Sequence, residues 1–241
     1  MRFQAYRKPL ATALGLAVAM VANGSEHAGG LPGQSDREPL IQPCARQARL
    51  ALPRDLDRVM DSVVIVQNGG EIGSGVLVSE TGHILTAAHL LRSTVRAAVY
   101  LASGDVQAGQ VLRLDSSQDI AVLKIRGHGY PCLPITPNVP PLGSRIFAVG
   151  FLPVQNARFV VSEGPLQAYQ ASALKNAPAY IRTGMALQPG SSGGPLLDAQ
   201  GQVVGIISGQ IGATAHARGQ PVSFGVPARF AVRLIQSVWR D

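Results

Sequence analysis

From Ser62 to Pro227 the sequence is cut into short apolar runs by glycine, proline and asparagine, and this rhythm limits the fold more than any other feature. The runs 62–67, 72–79 and 83–86 are rich in β-branched residues, and Asn68-Gly69-Gly70 and Thr81-Gly82 divide them. Such runs read as strands joined by tight turns, because glycine and asparagine reach the backbone conformations that hairpins require. More runs follow at 97–101, 106–114 and 120–125. Pro131, Pro134, Pro137, Pro140 and Pro141 then interrupt any ladder, since proline has no amide hydrogen to donate. The pattern restarts at 145–150, 159–162, 166–169, 180–183, 195–197, 203–208 and 222–227. The chain is therefore expected to be all-β, in two halves over about 62–128 and 143–227, with a proline-rich crossover between them. Helix-like spacing occurs at two places only. Leu56, Val59, Met60 and Val63 follow Pro53, and the segment 228–239 carries Phe230, Val232, Leu234, Ile235 and Val238 on roughly one face.

A chain of 241 residues has room for one such double structure, and 46% apolar residues provide its core. Only 15% of residues are charged, which excludes a disordered or coiled-coil chain. Arg2, Arg7 and Lys8 precede an uncharged apolar run from Leu10 to Ala22, the layout of a secretory signal peptide over residues 1–22. That run is shorter than the roughly 20 residues needed to cross a bilayer, although an uncleaved anchor is the alternative reading. Residues 23–43 read as a flexible linker, and residues 44–241 as the folded domain. Without the three leader cations, 18 basic groups face 14 acidic ones, a net charge of +4 in place of +7. So small an excess, spread along the chain, predicts no nucleic-acid partner, and removal of the leader leaves no stable membrane span. Cys44 and Cys132 are a candidate disulfide in an oxidising compartment; two unrelated buried thiols are the alternative.

Peptide hydrolysis by a serine hydroxyl needs a base, a group that orients the base, and fixed donors for the oxyanion. In Gln188-Pro189-Gly190-Ser191-Ser192-Gly193-Gly194-Pro195-Leu196, Ser192 lies in a glycine-rich turn ahead of a strand. Such a turn can expose a hydroxyl and aim the Gly190 and Ser192 amides at one point, although an ordinary Gly/Ser turn has the same composition. His89 follows an apolar strand in Thr86-Ala87-Ala88-His89, where small neighbours leave room for its ring. Among the other histidines, His83 is expected at the surface, His27 in the linker, and His128 and His216 in polar loops. Asp119 stands at the lip of the strand Ile120-Ala121-Val122-Leu123, where a buried carboxylate needs a donor and an imidazole N–H can supply one. Its rival, Asp115, lies among Ser116, Ser117 and Gln118 and reads as a loop residue.

These blocks occur in the order His, Asp, Ser, and the chain resembles the chymotrypsin-like serine proteases, more narrowly the HtrA/DegP type. The resemblance rests on Gly73-Ser74-Gly75-Val76, on Asp119-Ile120-Ala121-Val122, on the Ser192 block and, weakly, on Phe224-Gly225-Val226-Pro227. It covers about residues 57–236 and implies two six-stranded antiparallel β-barrels with a C-terminal helix and a cleft between the barrels. It further implies a triad of His89, Asp119 and Ser192, an oxyanion hole at Gly190 and Ser192, and Ser208 beside Asp119. Residues Ser208, Gly209 and Gln210 would pair with substrate backbone as an added strand. The Cys44–Cys132 pair would brace the N-terminal arm to the inter-barrel linker. The chain departs from the family at several points. No PDZ module is expected after Asp241, the arm between Gln42 and Asp61 lacks aromatics, Gly184 and Met185 replace the usual acid and small residue, and Ser191 stands where trypsin-type zymogens carry an Asp.

The pocket is expected to include Ala186, Leu187, Ser208 and Gln210, with no carboxylate to receive a cation, so it should take small or medium apolar side chains. Two functions follow: a secreted or periplasmic serine endopeptidase, or a non-catalytic, chaperone-like peptide-binding module on the same scaffold. Polypeptides are the expected partners in either case. No cofactor or metal is called for, and the sequence sets no oligomeric state.

Overall fold

A computed structural model of the chain describes Gln4–Ala5, Cys44 and residues 50–92, 94–152, 158–170, 180–208 and 223–238. The leader and linker calls (Gln4, Ala5 and the arm end at Cys44 excepted) and the calls on Gly209, Gln210, His27 and His216 lie outside these residues.

Six strands close the first barrel: β2 (Val63–Asn68), β3 (Glu71–Leu77), β4 (His83–Thr86), β5 (Arg96–Tyr100), β6 (Val106–Asp115) and β7 (Ile120–Lys124), in the order β2-β3-β4-β7-β6-β5. All pairings are antiparallel, and Gly69 takes the positive φ that the β2–β3 hairpin turn requires. The second barrel holds β8 (Arg145–Leu152), β9 (Arg158–Gln170), β10 (Tyr180–Thr183), β11 (Pro195–Leu197), β12 (Val203–Ile207) and β13 (Ser223–Pro227). Its order is β9-β10-β13-β12-β11-β8, and the β8–β9 pairing closes it. The two-residue strand β1 (Gln4–Ala5) lies antiparallel on β9, with Gln4 opposite Val161. Both expected barrels are present.

The apolar runs of β2, β4, β7, β8 and β12 are continuous because these strands are buried on both faces, whereas β5 and β6 keep exposed positions. In β2, Val64 and Val66 fill the interior of the first barrel, while Val63 and Ile65 turn outward into a second core. The same division separates Ala121 and Leu123 from Ile120 and Val122 in β7. In β8 it separates Ile146 and Ala148, inside the second barrel, from Phe147, Val149 and Phe151. The outward set from both barrels forms one shared seam core. Each such side chain, fully buried, stabilises by about 1.5–3 kcal/mol, so the barrels are held as a single body.

Two short helices complete the seam. Helix α1 (Leu56–Asp61) buries Leu56, Val59 and Met60, and the chain turns at Ser62 so that Val63 opens β2 instead of extending the helix. Helix α2 (Ala228–Val238) follows β13 directly and packs on β6 and β7 as well as β12. Its buried stripe is Ala228, Ala231 and Ile235, with Phe230, Leu234 and Val238 partly buried beside it; Val232 lies off that stripe. Cys44 is bonded to Cys132, with Cα atoms 5.8 Å apart across 88 residues of chain. Both are buried against the first barrel's interior, and closing so long a loop stabilises by about 4–5 kcal/mol in the chain-entropy account.

Two expectations need correction. Runs 159–162 and 166–169 are one continuous strand, β9, whose first half pairs with β8 and whose second half pairs with β10. Glu163-Gly164-Pro165 reads as a turn in sequence, but these residues stay in register opposite Phe147, Ile146 and Arg145. Gly164 lies against Met185 so closely that an added Cβ would fall 2.6 Å from its Cγ. The glycine marks a close packing approach, not a chain reversal.

His83 is not a surface residue. It is 3% exposed, and its Nδ1 bonds the Ser79 and Thr81 hydroxyls at 2.9 and 3.2 Å. Burial, reinforced by Lys124 on the neighbouring strand, lowers its pKa from 6.5 to about 4. Between those values the unfolded chain binds a proton that the folded chain refuses, so stability is lost as pH falls from 6.5 towards 4. The loss from this group should reach about 3 kcal/mol. Urea unfolding across that range should show it, and His83→Asn should remove most of the slope; equal slopes in both proteins would contradict the assignment.

Candidate active site

Segments distant in sequence meet where the barrels touch. β4 ends at Thr86, Ala87 stays extended, and Ala88–Leu90 form a single 3-10 turn that carries His89 off the strand end. Its Nδ1–H donates to the Asp119 carboxylate at 2.9 Å (Oδ2) and 3.0 Å (Oδ1), and its backbone N–H donates to Oδ1 at 2.9 Å. A carboxylate is an acceptor, so the proton belongs on Nδ1, and Nε2 keeps a lone pair. Ser208, immediately after β12 of the second barrel, donates its hydroxyl to Asp119 Oδ2. The carboxylate thus takes donors from both barrels.

Asp119 is 4% exposed and has φ +54°, a conformation that non-glycine residues seldom adopt. Such strain costs on the order of 1 kcal/mol or more, and the hydrogen bonds to the carboxylate hold the residue there. Burial pushes the carboxyl pKa up. The bonds from His89 and Ser208, with the imidazole's charge whenever the ring is protonated, more than offset this and hold it below the ordinary carboxylate range. Its contribution to stability is therefore complete above the unfolded carboxylate pKa and fades as pH falls through the lower folded value. Asp115 is occupied elsewhere. Its Oδ1 accepts from the Ser117 N–H and hydroxyl and from the Gln118 N–H, closing the β6–β7 turn.

The serine turn is two consecutive four-residue turns. Ser191 N–H donates to Gln188 O at 3.1 Å with Pro189 second and Gly190 third; Gly194 N–H donates to Ser191 O at 3.0 Å with Gly193 third. Gly190 and Gly193 have φ +90° and +85°, and proline followed by such a glycine is the type II arrangement. Gly193 N–H donates to Ile207 O and Ile207 N–H to Gly194 O, both at 2.8 Å, which anchors the loop to β12 beside Ser208. The Ser191, Gly193 and Gly194 amides are thus engaged. Among the described residues, the Gly190 and Ser192 N–H groups have no protein acceptor. Ser192 itself is half-buried.

Of the expected pocket residues, Ala186 and Leu187 are half-buried on the stretch leading to the serine turn, whereas Gly209 and Gln210 lie outside the described residues. Met185 is buried in the second barrel's interior. Of the expected pocket residues that are described, Ala186, Leu187 and Ser208, none is a carboxylate. Sequence reasoning missed Thr86 and Ser74. Thr86 donates its hydroxyl to Ser74 O at 2.7 Å, directly beneath Gly193. Only the glycines flanking Ser74 signalled a close backbone approach there.

Two seamed barrels with an imidazole on a buried carboxylate beside a glycine-rich serine turn define the chymotrypsin-like serine-protease scaffold. The trypsin-like peptidase domain family matches residues 73–206, more than half of the chain, and the chain belongs to that family. It is 30% identical over 174 residues to the serine endoprotease DegS of Haemophilus influenzae, covering 70% of this chain and 51% of that protein. It is 32% identical over 171 residues to a probable periplasmic DegP-like serine endoprotease of Chlamydia pneumoniae, covering 70% and 34%. The chain therefore spans about half the length of the first relative and a third of the second. A serine endoprotease from Yersinia pestis has a similar structure, with a TM-score of 0.65 at 26% identity over 81% of this chain and 69% of that one. The HtrA-type protease AlgW, solved with a decapeptide, shares the fold with a TM-score of 0.64 at 23% identity, over 77% and 66%.

The loop has no room at Gly193. A Cβ there would fall 2.1 Å from Ser74 O, 2.4 Å from Thr86 Oγ1 and 3.0 Å from Ala87 N. Gly193→Ala, which also meets the penalty of a positive φ, should destabilise by about 3 kcal/mol or more in denaturant unfolding. Unchanged stability would mean that the serine turn does not pack against β3 and β4 as described.

Proposed function

We propose that the chain is a serine endopeptidase that cleaves polypeptides through an acyl-enzyme. The observation that carries this reading is the Asp119–His89 pair, which leaves Nε2 free to accept a proton beside a serine turn packed on residues 86–87. His89 Nε2 takes the Ser192 hydroxyl proton as Oγ bonds to the scissile carbonyl carbon. The oxyanion that forms is received by the Gly190 and Ser192 N–H groups. Collapse breaks the C–N bond, and His89 delivers its proton to the departing amine. Water, deprotonated by His89, then attacks the ester; the peptide acid leaves and Ser192 regains its proton. Asp119 stays ionised throughout, holding the ring in one tautomer and offsetting the imidazolium charge.

The lack of a carboxylate among the described pocket residues supports a preference for small or medium apolar side chains before the scissile bond, because a buried, unpaired cation would be costly. Ser208 Oγ is committed to Asp119, so it is the backbone of 208–210 that would pair with substrate as an added strand. The leader at residues 1–22 supports export, with 23–43 as a linker and 44–241 as the working domain in the periplasm or outside the cell. A described disulfide at Cys44–Cys132 agrees with an oxidising compartment. No helix among the described residues is long and apolar enough to cross a membrane.

A fluorophosphonate probe should label the folded protein at Ser192; folded protein that never labels would favour the non-catalytic peptide binder. Ser192→Ala should lower peptide turnover by about six orders of magnitude with the fold retained. Asp119→Asn should cost about 10⁴ in turnover, through the wrong tautomer. Asp115→Asn should leave turnover within about threefold, and the reverse ranking of the two aspartates would remove Asp119 from the site. In a peptide panel, rapid cleavage after Arg or Lys would contradict the apolar pocket.

A further inference from the structure

Ser74, in the middle of Gly73-Ser74-Gly75 on β3, is fully buried and makes polar contacts in four directions. Its hydroxyl donates to Gly190 O at 2.7 Å and accepts the Phe151 N–H, from β8 of the second barrel, at 2.8 Å. Its backbone N–H donates to Ser192 O at 2.7 Å, and its carbonyl accepts from the Thr86 hydroxyl at 2.7 Å. An amide can only donate, so Phe151 fixes the direction of the hydroxyl: its proton must point at Gly190 O.

The two carbonyls that Ser74 holds belong to the two residues whose N–H groups receive the oxyanion in the mechanism above. Fixing the carbonyl of a residue removes the rotation of the peptide plane that follows it. Gly190 has no Cβ and a φ of +90°, so no side chain of its own restrains its rotation. One residue grips Gly190 through its side chain and Ser192 through its main chain, so Ser74 fixes the Gly190–Ser191 and Ser192–Gly193 peptide planes. The donor N–H groups lie one Cα away from these planes, and the fixed planes hold them by setting where the two Cα atoms sit. The flanking residues explain how the strand comes so near. A Cβ at position 73 would lie 2.7 Å from Ser192 O and 2.4 Å from Leu90 Cδ1, and one at position 75 would lie 2.8 Å from Ile84 Cγ2. Glycine on both sides lets β3 press on the loop, and the residue between them provides the hydroxyl.

We infer that Ser74 is a positioning residue that clamps, from the first barrel and on their carbonyl sides, Gly190 and Ser192, the two residues that carry the oxyanion-binding amides. This rests on the endopeptidase reading. Ser74 touches neither substrate nor the reacting atoms. It acts by fixing the peptide planes on the carbonyl sides of Gly190 and Ser192, and so the Cα atoms from which the two donor N–H groups project; donors held for the transition state affect turnover more than ground-state binding.

The test compares wild type, Ser74→Ala and Ser79→Ala. Ser79 is an equally buried hydroxyl of the first barrel, bonded to Thr81 and His83 away from the serine turn. Three readouts are taken: peptide kcat and KM, the rate of fluorophosphonate labelling, and crystal structures. Ser74→Ala should lower kcat and the labelling rate by about 30-fold or more, with KM within about twofold and the Gly190 carbonyl turned away from its present direction. Ser79→Ala should lower the melting temperature comparably and keep kcat within about twofold. If Ser74→Ala turns over and labels within about threefold of wild type, the clamp is wrong while the endopeptidase reading stands. If wild type itself neither labels nor cleaves, that reading fails, and the clamp is decided by the crystal structures. There an unmoved Gly190 carbonyl in Ser74→Ala overturns it and a turned one supports it.

Discussion

A carboxylate removed from water at the junction of two barrels must be satisfied by donors, and Asp119 draws them from both sides. His89 gives it an imidazole N–H and a backbone N–H from the first barrel, and Ser208 gives it a hydroxyl from the second. Losing any of these would leave part of a buried negative charge uncompensated, a cost of several kcal/mol. The relative position of the barrels, the orientation of the imidazole and the positive φ of Asp119 are therefore one problem with one solution. The same carboxylate that seals the seam also selects the tautomer of His89 that a serine nucleophile needs.

The seam is wide because each barrel is apolar on its outside as well as its inside. Val63, Ile65, Ile120 and Val122 meet Phe147, Val149, Ile206 and Val226 there, and α2 covers the junction with Ala228, Ala231 and Ile235. A shared core of this kind holds the two halves rigidly. That rigidity lets Gly193, from one barrel, rest against Ser74, Thr86 and Ala87 of the other with no space for a methyl group. The disulfide adds a covalent tie from the N-terminal arm to the segment between the barrels.

Much of the strand framework could be read from sequence, because strands buried on both faces leave unbroken apolar runs and their turns need glycine. The runs at 83–86, 180–183 and 195–197 agree with the observed strands at both ends. Gly164-Pro165 misled, since glycine placed for close packing against Met185 looks the same in sequence as glycine placed for a turn. His83 was misjudged for a related reason. Its burial depends on Ser79 and Thr81 curling over the ring, and hydroxyl residues near a histidine carry no sign of which way they face. His89, Asp119 and Ser192 could be singled out because short motifs surround each of them. Ser74 could not, since its partners lie 77 and 116 residues along the chain and only the folded seam brings them within reach.

The distance between His89 Nε2 and Ser192 Oγ in a crystal structure of the folded protein, free and with a peptidyl phosphonate, tests the central claim most directly. The expected result is a separation within hydrogen-bonding reach, about 2.6–3.5 Å, with phosphorus bonded to Ser192 Oγ and its oxygen facing the Gly190 and Ser192 amides. An imidazole and hydroxyl held apart in both forms, with the phosphonate bound elsewhere or not at all, would contradict it.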